Sequence, residues 1–162
     1  MKKDKLYDSK GNEKYLIQTP LHEFSHGYIN PLTDEYKLVT EKTHLFDDIR
    51  DNMKKMAYPY DTQIINEHII RAIEARFIIL IHKDNTWYKN RINGEIKLGF
   101  IYINNIINSL IIYEQNRNKY KTIKDFYPII IKNLKNPKWL LWVFLKYFRV
   151  YINKTNSNKS YT

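Results

Sequence analysis

Two imidazoles four residues apart, with a carboxylate beside the first, form the most chemically suggestive pattern in the chain: His22-Glu23-Phe24-Ser25-His26. On a helix, residues at i and i+4 project to one side about one turn apart, so both rings can reach a single metal ion. Glu23 stands where a general base would take a proton from a water activated by that metal, the chemistry of His-Glu-x-x-His zinc hydrolases. The chain has 5 His and 8 Glu among 162 residues. Random placement would produce the pattern about 0.007 times per chain, so coincidence is a poor explanation provided that the segment is helical.

The flanking residues support a helix. Ile17, Leu21, Phe24 and Tyr28 follow i, i+4, i+7 and i+11 and predict one apolar stripe, with both histidines off it. Thr19-Pro20 suits an N-cap and first helical residue, and Asn30-Pro31 predicts the stop, because the residue before a proline is pushed out of the α region. A start at Pro20 would hold a cation near the unfavourable end of the helix dipole, whereas a helix begun further upstream would not. The bland reading is two surface histidines beside a glutamate on an ordinary amphipathic helix.

A catalytic zinc keeps three protein ligands and one open position. The absence of cysteine excludes thiolate ligands and disulfides alike, so the third ligand must be His, Asp or Glu. A third histidine six residues after His26 is ruled out, because position 32 is Leu. Residues 61–82, opened by Asp61 or Thr62, predict a long helix. Its apolar face carries Ile65, Ile69, Ala72, Ile73 and Leu80, and Gln63, Glu67, Arg71 and Glu74 lie opposite. Glu67 on that polar face is the candidate third ligand. Its ordinary alternative is an i,i+4 ion pair with Arg71, and both hold together if Arg71 orients Glu67 or Glu74 behind the metal. His44, His68 and His82 have no partner spacing and read as surface or packed histidines.

These segments require a scaffold, and the rest of the chain predicts a mainly α fold in a single domain over residues 1–162. Helical spacing runs over 34–57 through Tyr36, Val39, Thr43, Phe46, Ile49, Met53 and Met56. Residues 84–95, rich in Asn and containing Gly94, read as a loop or helix turn. Lys97 to Asn116 reads as one helix, nearly apolar all round at its centre, and Thr122 with Asp125 reads as a capping box opening another that Pro128 bends. Residues 1–15 are polar, with at most a short β-hairpin around Ser9-Lys10-Gly11-Asn12, and 153–162 read as a flexible tail.

Residues 139–152 are strongly apolar but contain Lys146 and Arg149, too short and too charged a stretch for a membrane span. A terminal helix docked on the core is the expectation there, with weak membrane-surface contact as its alternative. No apolar stretch follows the basic N-terminus, so no signal peptide is expected in this chain; the compartment stays open, cytoplasmic being the expectation for the chain as written and extracytoplasmic for an N-terminally truncated one. The net charge of +10 comes from lysines scattered along a sequence also rich in Asn, Ile and Tyr, as an AT-rich coding sequence would give. That predicts a solvated basic surface rather than a nucleic-acid patch.

The stretches His22-Glu23-Phe24-Ser25-His26-Gly27-Tyr28-Ile29-Asn30-Pro31 and Asn66-Glu67-His68-Ile69-Ile70-Arg71-Ala72 resemble the uncharacterised gluzincin-like domains of bacteria. Those carry His-Glu-Phe-Ser-His-x-x-x-Asn-Pro followed by Asn-Glu-x-x-x-Arg-Ala. Gly99-Phe100-Ile101-Tyr102-Ile103, the stretch 113–120 and Asp125-Phe126-Tyr127-Pro128 look similar too, so the resemblance spans residues 16–131. It implies a helical zincin-like fold, zinc as cofactor, His22, His26 and Glu67 as ligands, Glu23 as the catalytic carboxylate and a peptide or protein as substrate. Tyr102, Arg71 and His68 are the candidate oxyanion donors. Zincin peptidases precede the histidine helix with a β-sheet lobe, and here only 21 residues come before His22. The companion expectation is a truncated or degenerate zincin acting as a non-catalytic helical interaction module.

Overall fold

The computed structural model describes residues 13–36 and 44–134. Among the described residues six helices follow in order: α1 (Glu13–Tyr36), α2 (Arg50–Lys55), α3 (Asp61–His82), α4 (Asn85–Leu98), α5 (Ile103–Gln115) and α6 (Ile123–Lys132). The architecture is mainly α, with no strand among the described residues. The hairpin expected around residues 9–12, the apolar stretch 139–152 and the tail 153–162 lie outside the described residues. Among those described, no helix is long and apolar enough to cross a membrane.

The α3 helix is the axis of the fold, with α1, α4 and α5 packed on it. Every side chain from Ile64 to Ile70 is buried. Ile65, Ile69 and Ala72 occupy the core as their spacing predicts, whereas Leu80 near the C-terminal end is exposed. The polar face is not solvated as a simple amphipathic helix would have it: Glu67 and Glu74 are buried, one against α1 and the other between α1 and α4. Asp61 is the first helical residue rather than the cap. The cap is Tyr60, whose backbone N–H donates to Gln63 Oε1 at 3.3 Å, and Asp61 is free to pair with Arg50.

Of the two starts open to the histidine helix the upstream one is found, and the expected stop at Asn30-Pro31 is overturned. Helix α1 runs through Pro20 and Pro31 to Tyr36. Each proline removes one backbone donor, but the turn after Pro31 is held by burial of Leu32 and Thr33. Thr33 Oγ1 donates to Asn66 Oδ1 and accepts from Tyr127 Oη, which ties α1 to α3 and α6. Tertiary packing thus outweighs local propensity. The inward face is also not the predicted one: Ile17, Phe24 and Tyr28 are exposed, while Ser25, Ile29, Leu32 and Thr33 are buried on the side of the histidines.

Between residues 84 and 116 the punctuation also differs from expectation. The Asn-rich stretch is helix α4, capped by Asp84, whose side chain accepts from Trp87 N–H at 2.9 Å, and fixed inward by Ile92 and Glu95. The single helix expected from Lys97 to Asn116 is broken at Gly99, which caps α4 at φ 109°. In the 34–57 stretch only Arg50–Lys55 is helical beyond the end of α1, with turns over 44–49, and residues 37–43 lie outside the described residues. The capping box at Thr122 stands as read: its N–H donates to Asp125 Oδ2 at 2.8 Å and Asp125 N–H returns to Thr122 Oγ1 at 3.3 Å.

Candidate metal centre

Helices α1 and α3 bring His22, His26 and Glu67 together. His26 Nε2 lies 3.2 Å from His22 Nε2 and 3.3 Å from Glu67 Oε1, and His22 Nε2 lies 3.7 Å from the same oxygen. A triangle with those edges has its corners about 2.0 Å from its centre, which matches zinc–nitrogen and zinc–carboxylate bonds. The histidine side chains are 19% and 27% exposed against 6% for Glu67, so the cluster is walled by α3 and open on the α1 side.

The partners of the outer nitrogens fix both tautomers. His22 Nδ1 lies 2.5 Å from Glu74 Oε1, and a carboxylate only accepts, so Nδ1 carries the proton. His26 Nδ1 lies 3.2 Å from Asn30 Oδ1, an amide oxygen that likewise accepts. In the neutral rings, the form that binds metal, both Nε2 lone pairs are therefore turned toward Glu67 Oε1. Three acceptors facing one another with no donor between them repel, and a cation at their centre removes the conflict. Glu67 Oε2 is also buried without a hydrogen-bond partner. A divalent metal fits this donor set.

Behind the triad runs a chain of buried charge. Arg71 approaches Glu67 Oε2 at 3.3 Å through Nη2 and gives Nη1 to both oxygens of Glu95 at 3.2 and 3.3 Å. Arg91 Nη2 joins Glu95 Oε1 at 2.8 Å to Glu74 Oε2 at 3.1 Å, and Gln18 Nε2 donates to the same Glu74 oxygen at 3.2 Å. Burial opposes charge on Arg71, but Glu95, then Tyr58 and Glu67, outweigh it and hold the guanidinium pKa above its ordinary value. The i,i+4 pair of Glu67 with Arg71 thus exists alongside the clustering of Glu67 with the histidines. A polar cavity of about 220 Å³ beside His22 is lined by Gln18, Thr19, Arg71, Glu74 and Arg91. A larger apolar hollow of about 310 Å³, lined by Tyr28, Phe77 and Leu80 among others, does not include the histidines.

Glu23, the expected general base, is exposed on α1, about 100° around the helix from His22. Of the candidate oxyanion donors only Arg71 reaches the cluster. Tyr102 lies in the core, where its hydroxyl donates to Leu45 O at 2.5 Å and burial pushes its pKa up to about 12. His68 is enclosed by Phe46, Phe100 and Tyr102. It donates Nδ1–H to Ile64 O at 2.7 Å, and burial pulls its pKa down to about 4, leaving a neutral ring whose Nε2 can only accept. His44 is exposed and paired with Asp47, and His82 ends α3 as the sequence suggests. Sequence reasoning missed Asn30, Arg91 and Glu95. For Asn30 the i,i+4 spacing from His26 was an available signal, whereas the two α4 residues are ordinary surface charges until the helix is placed.

A family model described as "Domain of unknown function (DUF4932)" matches residues 7–133. No curated protein and no solved structure matches the chain.

Proposed function

The chain belongs to the DUF4932 family, and we propose that it is a zinc-dependent peptide hydrolase of gluzincin type, with His22, His26 and Glu67 as ligands. The convergence of two Nε2 atoms and a carboxylate oxygen, 3.2 to 3.7 Å apart, carries the reading. Zinc bound there would polarise a substrate carbonyl and lower the pKa of its water toward about 7. Glu23, exposed next to His22 in sequence, would take that proton and deliver it to the leaving amine. Glu74 and Asn30 hold the imidazoles with Nε2 inward, so the ligands are oriented before metal arrives. Arg71, which lines the polar cavity beside His22, would be the cation offered to the reacting carbonyl oxygen.

A second reading, a metal-holding helical module without turnover, is favoured by one observation. Two of the three residues expected to stabilise an oxyanion, Tyr102 and His68, are committed to the core, and Arg71 is already engaged by Glu95, Glu67 and Tyr58. Metal analysis combined with cleavage of a peptide library separates the two. Peptide hydrolysis that disappears in Glu23→Gln with zinc retained is expected of the hydrolase. Zinc at one equivalent with no cleavage of any peptide assigns the module, and a purified protein that takes up no zinc removes both.

A further inference from the structure

Glu95 on α4 is buried and holds two guanidinium groups, each reaching a carboxylate of the metal cluster: Arg71 toward Glu67, and Arg91 toward Glu74. The division of contacts at Arg71 is uneven. Its Nη1 sits between both oxygens of Glu95, whereas Nη2 stands 3.3 Å from Glu67 Oε2 without hydrogen-bond geometry, and that oxygen is left unsatisfied. An arginine at i+4 from a buried glutamate would ordinarily close on it as a two-pronged pair, because charge-assisted, bidentate contacts are the strongest that a guanidinium makes. Closure would draw Glu67 away from the imidazoles and set the arginine in competition with a cation for its lone pairs.

We propose that Glu95 is a positioning residue for the metal site: it holds Arg71 off Glu67, keeping Glu67 Oε1 available to the two histidines. The same carboxylate also pairs with Arg91, whose other contact is Glu74. One buried residue on α4 therefore governs the oxygen of the cluster without touching it. The π face of Phe100, 4.3 Å beneath the Arg71 guanidinium, fixes the plane in which that group can turn. This inference rests on the metal-site reading above, and its mark is an interaction between two substitutions rather than a loss from one.

Zinc affinity is measured by competition with a chromophoric chelator for wild type, Glu95→Gln, Arg71→Gln and the double variant, with far-UV circular dichroism of each metal-free protein as the folding control. Glu95→Gln is expected to bind zinc at least tenfold more weakly, the scale on which groups behind metal ligands act. Arg71→Gln should stay within about threefold of wild type, and the double variant within about threefold of Arg71→Gln, because the competitor that Glu95 restrains is then gone. A Glu95→Gln affinity within twofold of wild type overturns the proposal, and so does a double variant as weak as Glu95→Gln alone. If Glu95→Gln does not fold, Glu95→Asp keeps the charge but shortens the reach. It should bind about threefold more weakly, a loss that Arg71→Gln again removes, and a loss unchanged by Arg71→Gln overturns the proposal. Wild-type protein that binds no zinc fails the underlying reading before any variant is compared.

Discussion

Glu74 Oε1 lies 2.5 Å from His22 Nδ1, so a buried carboxylate on α3 sets the tautomer of an imidazole on α1. Glu74→Gln keeps the shape and an accepting oxygen but removes the charge from the partner of His22 Nδ1. Zinc affinity should fall roughly tenfold, within the range known for such partners, and chelator competition measures it. An unchanged affinity would mean that His22 is not a ligand or needs no orientation.

Asn30 offers a test in the opposite direction. It accepts from His26 Nδ1 at 3.2 Å, and Asn30→Asp would replace the amide oxygen by a carboxylate at the same reach. Zinc should bind as tightly as in wild type or up to about tenfold more tightly, while Asn30→Leu should weaken it.

Metal should also register in stability. A ligand that binds only the folded state at 100 times its dissociation constant stabilises by about 2.7 kcal/mol. Thermal unfolding with and without saturating zinc should show a rise in Tm that is abolished in His22→Ala and His26→Ala and retained in Glu23→Gln. Loss of the rise in Glu23→Gln would place that residue among the ligands rather than beside them.

Two buried tyrosines predict alkaline sensitivity. Burial pushes the pKa of both Tyr102 and Tyr127 up to about 12, whereas the unfolded chain ionises them near 10. Above pH 10 the unfolded state has released protons that the folded state still holds, so stability is complete below pH 10 and falls as pH rises toward 12. Each tyrosine should account for about 1.4 kcal/mol lost by pH 11. Urea unfolding at pH 8 and pH 11 should show a smaller difference in Tyr127→Phe than in wild type, although the variant is weaker at pH 8 for want of its bond to Thr33.

Gly99→Ala tests the break between α4 and α5. The glycine sits at φ 109°, and an added Cβ would come within 2.6 Å of Asn52 Nδ2 and 2.7 Å of Met53 Cε. Asn52 could yield only by giving up its bond to Leu98 O. A loss of about 2 kcal/mol is expected, or a Tm several degrees lower, with zinc affinity unchanged.

How much of this was readable beforehand follows from the range of the forces involved. The clustering of His22, His26 and Glu67 was legible because i,i+4 spacing on a helix is local and because an excluded alternative, Leu at position 32, narrowed the search. The mainly α class was legible from periodicity. The orientation of α1 was not: Ile17, Phe24 and Tyr28 look like a core stripe, yet the inward face is defined by Thr33 meeting Asn66 and Tyr127, a contact spanning 94 positions at its longest. Helix α4 was missed because Asn and Gly94 argue against a helix locally, while burial of Ile92 and Glu95 argues for one only once α3 is in place. Nothing in the sequence marks Glu95 and Arg91, because sequence does not report desolvation.

Glu67 is carried by the innermost helix, on which α1, α4 and α5 all rest. A side chain so placed should not melt out separately from the whole domain, so amide exchange across residues 64–70 should proceed at the global opening rate in metal-free and metal-loaded protein alike. Metal uptake would then be limited by the ion shedding its hydration shell, not by chain rearrangement, and should reach completion within the dead time of a stopped-flow mixer.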